Sequence, residues 1–550
     1  MAVTLPDDIW HLICEELWFR RDFDSLYQCA VASKRLTHPA LANLYRMHNV
    51  APATSRGADD LELARQGKSG RERMVQKWAL MWRSIILSSL GKTLFPYCRY
   101  TRALDLRDLE YLFDDGRFRG TADRQFFAGD LAQFNIEADT PKKPTSKSKA
   151  PRRLNVPSVL DRIGEVVTKE TPILEELSGR ISSKALPQWT SRLPRLQSLE
   201  LWQGEALAEG AQDSIHAHCP LFKRLAIYQW LGDEVDGQLS AFLSGMRPQT
   251  LTSFEVFSAI DIGTESYTSL ALHQQSLTTL RLSGLRTDAV LALSELKSCT
   301  SLEVLHLEAI EYISEDPSQK ECFLDLISWL RECKRLQNVT VKRFRSAHSL
   351  LAPFLLENDT HVTKLEVDSY LMHEASDFHC AIGSQLGLQS LKLHGTSQEM
   401  DLNDMEVLVD SASRLKWLRR LELRQVPVSF GDAQIRQLAR QLTRLEDLYT
   451  DGYDITDAIW PDMAGLQHLR SLTFIATTSF SVKGLLGFIP VLGPGNQGLA
   501  LSVDNADPET GSLSEDEQER VREAISEKVG GRFTLSLQPG AWSESSGDSD

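Results

Sequence analysis

The sequence has no long hydrophobic run: stretches such as Leu485 to Leu492 fall far short of the roughly 18 residues that suggest a membrane span. Cysteine is scarce, with eight residues in 550 and no CxxC pair, which fits a reducing compartment better than a disulfide framework. The first residues, Met1 to Asp8, lack a basic stretch leading into an apolar one, so no secretory signal is expected. A cytoplasmic or nuclear location, or both, follows as the expectation. Positive charge is also short. Lys and Arg number 60 against 75 Asp and Glu, and the net charge of −15 argues against indiscriminate binding to nucleic acid or anionic membrane. No GxxxxGK[ST], HExxH or GxSxG motif occurs, and the thirteen histidines are scattered. The expectation is therefore a non-catalytic chain with no cofactor and no metal site.

What the sequence does have is a repeat. An apolar-x-x-apolar-x-apolar pattern begins at Leu196, Phe222, Leu251, Leu277, Leu302, Leu336, Val362, Leu388 and Leu418, with weaker copies at Leu445 and Leu469. Successive starts lie 24 to 34 residues apart. Any short strand can produce one such hexapeptide, but eleven in near-constant phase require a periodic architecture. The last two apolar residues of each copy, such as Leu199 and Leu201, point inward from a strand, and the first closes the preceding turn. The intervening residues suffice for a returning helix, as in 206–218 or 432–442. No unit buries its apolar face alone, so stacking must supply the core.

Cys219, Cys299 and Cys333 each stand three residues before the first apolar residue of a copy. This resembles the cysteine-containing class of leucine-rich repeats, often found in F-box proteins. One cysteine per repeat cannot give the close ligand pairs of a zinc site, so buried thiols are expected. Tyr100 to Leu106 looks like an earlier copy of the strand, and Leu174 with Leu177 like another.

The head has a helical period instead. Pro6, Asp7 and Asp8 suit a helix first turn, followed by Ile9, Leu12, Ile13 and Leu17 at helical spacing. A second helix is expected from an N-cap at Asp24, carrying Leu26, Cys29, Ala30 and Val31, and a third from Pro39. Leu5-Pro6-Asp7-Asp8-Ile9, then Leu17, Leu26, Val31 and Ser33-Lys34, resemble the F-box, a helical module that docks onto a Skp-type adaptor and through it a cullin. The stretch from Tyr97 to Leu109 is similar to one in fungal F-box/leucine-rich-repeat proteins. The resemblance implies a substrate-recognition subunit of an SCF-type ubiquitin ligase, with Leu5, Pro6, Ile9, Leu12, Ile13, Leu17, Leu26, Val31 and Lys34 at the adaptor. The alternative is an interaction scaffold whose head only caps the first repeat.

The fold expected is α/β: a small all-helical head, then a curved leucine-rich repeat solenoid with parallel strands on the concave face and helices outside. Its boundaries are a head over 1–50, a helical joint over 51–98 and degenerate first repeats over 99–195, with a disordered insertion at about 114–155. The main solenoid spans 196–503, and a cap with an acidic disordered tail spans 504–550. Lys142, Lys143, Lys147, Lys149, Arg152 and Arg153 read as a solvated linker, with a nuclear-import signal as the sharper reading. Trp78, Met81, Trp82, Ile85 and Ile86 form a helical stripe that reads as packing between head and repeats. A protein client is expected on the outward strand positions. Trp202, Tyr228 and Phe257 would form one aromatic patch, and Arg281, Lys342, Asp368, Lys392 and Arg424 would set orientation.

Overall fold

The computed structural model describes residues 6–20, 22–46, 67–138, 154–208, 210–314, 320–373, 375–396, 402–425, 430–507, 509 and 511–537. The basic stretch 142–153, Leu5 and the tail beyond 537 lie outside them. The chain forms two compact units, Met1–Ser276 and Leu277–Asp550.

The first unit opens with three helices, α1 (Asp7–Phe19), α2 (Phe23–Ala32) and α3 (Lys34–Leu44), followed by a long helix α4 (Gly67–Ser89). Asp22, not Asp24, caps α2, its carboxylate accepting from the Ser25 N–H at 3.0 Å. The third helix starts five residues before Pro39 because Ser33, in extended backbone, accepts from Arg35 N at 3.3 Å. Pro39 then sits inside α3, where its missing N–H forgoes a single helical bond.

Beyond the head, α5 (Leu106–Asp114), α6 (Thr121–Phe126), α7 (Val156–Glu170) and α8 (Ala185–Thr190) surround the first strands. Those strands are β1 (Ala103–Asp105), β2 (Glu176–Gly179), β3 (Ser198–Gln203), β4 (Arg224–Trp230) and β5 (Ser253–Ile260), all paired in parallel. Residues 114–138, expected to be disordered, are folded. Phe113, Phe118, Phe126 and Phe127 pack with centroids 5.0–5.7 Å apart. Arg83 of α4 ties the segment down by donating to the carbonyls of Gln125 at 2.8 Å and Ala128 at 3.0 Å. Burial of these rings outweighs the Asp-, Arg- and Gly-rich sequence between them. The stripe of α4 is core: Trp78, Trp82, Ile85 and Ile86 are all buried.

Among the described residues, the second unit alternates ten strands with nine intervening α-helices. Its strands are β6 (Thr279–Leu285), β7 (Val304–Ile313), β8 (Asn338–Phe344), β9 (Lys364–Tyr370), β10 (Ser390–Gly395), β11 (Arg420–Arg424), β12 (Asp447–Thr456), β13 (Ser471–Ser479), β14 (Ala500–Ala506) and β15 (Arg532–Leu537). Each pairs in parallel with the next. The inward leucines stack in register, as Leu391 on Leu421 and Leu393 on Leu423, and all four are buried. At about 1.5–3 kcal/mol for each fully buried side chain, these columns hold the stack. The helix Glu515–Val529 starts at a capping box between Ser514 and Glu517 and stops at Gly530, whose φ of 64° favours glycine.

The cysteines before the strands are buried as expected, and their positions explain them. The Cys219 thiol donates to the Thr190 carbonyl at 3.4 Å, and Cys333 to the Cys299 carbonyl at 3.6 Å. Each thiol thus satisfies a backbone acceptor of the preceding repeat. Burial pushes all three thiols up to about 12, so they stay neutral donors.

Candidate functional site

Three surfaces gather the residues singled out by sequence. In the head, Cys14, Leu26 and Ala40 form a small core, with Leu17, Trp18, Phe23, Cys29, Ala30 and Leu44 packed against it. The end of α3 and the residues after it join this core to the rest of the unit. Tyr45 stacks on Tyr97 at 4.5 Å and shares a hydrogen bond with Ser84 at 2.9 Å. The Arg102 N–H donates to the Arg46 carbonyl at 3.1 Å, and the Arg46 guanidinium lies 4.4 Å over the Trp18 ring.

The opposite side of the head is left open. Ile9, Leu12 and Ile13 form an exposed stripe on α1, with Leu12 60% exposed. Tyr27 and Val31 form a second on α2, with Val31 62% exposed. Phe19 projects at the end of α1, 68% exposed. Of the expected adaptor residues, Pro6, Ile9, Leu12, Ile13, Val31 and Lys34 are exposed. Leu17 is half-buried against the core, and Leu26 is entirely buried in it, so Leu26 holds the head together and meets no partner. The F-box resemblance put all nine residues in one set because a motif of apolar positions does not separate core from surface. Phe19 and Tyr27 were missed for the same reason.

The second surface is the outward strand face of the first unit. Trp202 and Tyr228 stack face to face at 4.1 Å, 6° from parallel. Phe257 does not extend this stack as expected. The register slips after Ile227, so that Tyr228 stands opposite both Phe257 and Ser258, and Gln229 pairs with Ala259. Phe257 is left 44% exposed beyond the irregularity. Nearby, Arg107 bridges Asp105, at 2.9 Å, and Glu200. Asp108 in α5 is buried with its Oδ2 unpartnered, and burial, aided by the Asp105 charge, pushes its carboxyl up to about 8.

On the second unit's strand face, the expected orienting charges are paired within the sheet. Lys342 meets Glu366 at 2.8 Å, Lys392 meets Glu422 at 2.9 Å, and Arg424 meets the same Glu422 at 2.6 Å. The Arg424 guanidinium also covers Tyr449 at 4.3 Å. Asp368 contacts His394 at 3.0 Å and accepts from Ser369 at 2.7 Å, and these bonds hold its carboxyl below the usual range against its burial. Arg281 lies in register beside His306, whose protonation is disfavoured first by burial and then by Lys342. The face is a mosaic of matched charges.

Among the described residues, no group of three or more His, Cys, Asp or Glu side chains could hold a metal ion. Among the same residues, no helix is long and apolar enough to cross a membrane. No family model matches the chain, and no curated protein does. Similar solved structures include an internalin from Listeria monocytogenes, 14% identical over 59% of this chain and 79% of its own, at a TM-score of 0.35. The yeast Rad7 and Elc1 complex is 13% identical over 88% of this chain and 98% of its own, at 0.39. The Toll–Spatzle complex of Drosophila is 12% identical over 68% of this chain and 42% of its own, at 0.27.

Proposed function

We propose that the chain is a substrate receptor of an SCF-type ubiquitin ligase, in which the head docks a Skp-type adaptor and the strand faces capture a protein client. The observation that carries this reading is the division of labour in the head. His38 within α3, the end of that helix and the residues after it pack against the rest of the unit, and Asp24 of α2 meets Lys77 at 3.5 Å, so a mere cap needs nothing more. Yet α1 and α2 keep Ile9, Leu12, Ile13, Phe19, Tyr27 and Val31 in water. Large exposed apolar stripes on a small helical module are costly to leave uncovered and mark a docking surface. The F-box resemblance of residues 5–34 supplies the identity of the partner.

In this reading the chain performs no bond chemistry. It raises the local concentration of the client beside a ubiquitin-charged enzyme held by other subunits, which makes a bimolecular transfer effectively unimolecular. Co-purification with a Skp-type adaptor tests it. Leu12→Asp with Val31→Asp is expected to abolish adaptor recovery while far-ultraviolet circular dichroism stays unchanged. Failure of the unaltered chain to recover the adaptor refutes the ligase role and favours a scaffold without one.

A further inference from the structure

The strand face of the first unit combines aromatic rings with a strong charge asymmetry. Between Trp202 and Ser276 the only Lys or Arg residues are Lys223, Arg224 and Arg247. Lys223 and Arg224 stand where β4 begins, and Arg247 follows the helix Val235–Gly245 that runs back to that same edge. The opposite edge, where β3, β4 and β5 end, is acidic. Glu205 follows β3, Asp233 and Glu234 follow β4, and Asp261 and Glu265 follow β5. Because the strands are parallel and paired in order, these loops share one edge.

Glu205, Asp233, Glu234 and Glu265 are exposed, and none has an ion-pair partner among the described residues. Asp261 accepts from the Gly232 N–H at 2.8 Å, bridging two of the loops. The stacked Trp202–Tyr228 pair lies at the carboxyl ends of β3 and β4, within a few residues of Glu205 and Asp233. Phe257 and Leu231 add exposed apolar surface beside it, at 44% and 53%.

We infer that this face holds a basic segment of the client, with arginine or lysine side chains lying over the Trp202–Tyr228 pair and reaching the acidic loop edge. An aromatic face attracts a guanidinium or ammonium by its quadrupole, and guanidinium also stacks flat on it. The exposed carboxylates of Glu205, Asp233, Glu234 and Glu265 supply long-range attraction for the same cations. Apolar residues of the segment cover Leu231 and Phe257. An acidic or uncharged segment meets either repulsion or unrelieved desolvation at the same edge. The inference rests on the receptor reading, since it names the class of client that reading leaves open.

Fluorescence anisotropy on the full chain tests it, with a labelled peptide of alternating arginine and leucine as probe and its glutamate–leucine counterpart as control. Two variant chains are compared: Trp202→Ala with Tyr228→Ala, and Glu205→Gln with Asp233→Asn and Glu234→Gln. Each is expected to weaken the arginine peptide by about tenfold or more, which corresponds to about 1.4 kcal/mol. A third chain, Asp516→Asn with Glu519→Gln on the helix Glu515–Val529, removes acidic charge elsewhere and is expected to bind like the unaltered one. Equal affinity in all four chains means general attraction to an acidic protein and overturns the inference. Binding of the glutamate peptide as tightly as the arginine one overturns it as well. Adaptor recovery measured on the same chains separates the two ideas: it is retained if only the client class is wrong, and absent throughout if the receptor reading fails.

Discussion

Replacing Asp108 by asparagine is expected to stabilise the first unit above neutral pH. The carboxyl sits in α5, buried, with Oδ2 unpartnered and Asp105 nearby, and burial raises it to about 8. In an unfolded chain the same group titrates near about 3.9. Between those values the folded protein holds a proton that the unfolded chain has released, so stability falls as pH rises. The contribution is fully present below about pH 4 and is lost as pH passes about 8, at up to ~1.4 kcal/mol per unit. Across the window the loss approaches an upper bound of about 6 kcal/mol, with the opposing charge of Arg107 already contained in the raised value. Asp108→Asn keeps the shape and removes the titration. Urea unfolding of the full chain, followed through its buried tryptophans between pH 5 and 9, is expected to show the two proteins diverging toward alkaline pH, with the variant the more stable. Parallel stability curves across that range refute the reasoning.

Three further expectations follow from packing. Leu26→Ala empties the centre of the head core and is expected to cost about 2–5 kcal/mol, read as early proteolysis within α1 and α2, whereas Leu12→Ala leaves that digestion unchanged. Gly204→Ala would place a Cβ 2.3 Å from the buried Trp230 ring, and a cost of about 1–3 kcal/mol should lower the melting temperature; an unaltered melt contradicts the tight approach. Iodoacetamide near neutral pH should modify exposed Cys380 and spare Cys219, Cys299 and Cys333 until the chain is denatured, as mass spectrometry would detect.

The strand–helix repeat was legible in the sequence because its inward residues obey a strict spatial rule. A leucine displaced by one position on β10 would face water, so Leu388, Leu391 and Leu393 carry the phase unambiguously. The region 114–138 was not legible, because its phenylalanines have no fixed period and meet only in three dimensions. The start of α3 was misplaced since Pro39 is a stronger sequence signal than Ser33, although the hydroxyl cap forms the helix end. In the head, helical spacing revealed which residues are apolar but not which side is already occupied. Only the packing of Tyr45 on Tyr97 and of Leu26 on Cys14 separates core from open surface. On the second unit, the pairing of Lys342, Lys392 and Arg424 with Glu366 and Glu422 depends on strand register, which unequal repeat lengths obscure.

The central claim is that the open side of the head is an adaptor-binding surface, and calorimetric titration of a purified Skp-type adaptor into the full chain tests it most directly. Covering Leu12 and Val31 should contribute about 1 kcal/mol or more apiece. The account predicts a saturable complex of one adaptor per chain, lost in Leu12→Asp with Val31→Asp and kept in Trp202→Ala with Tyr228→Ala. No heat of binding from the unaltered chain, or the same affinity from the Leu12→Asp, Val31→Asp chain, would contradict it.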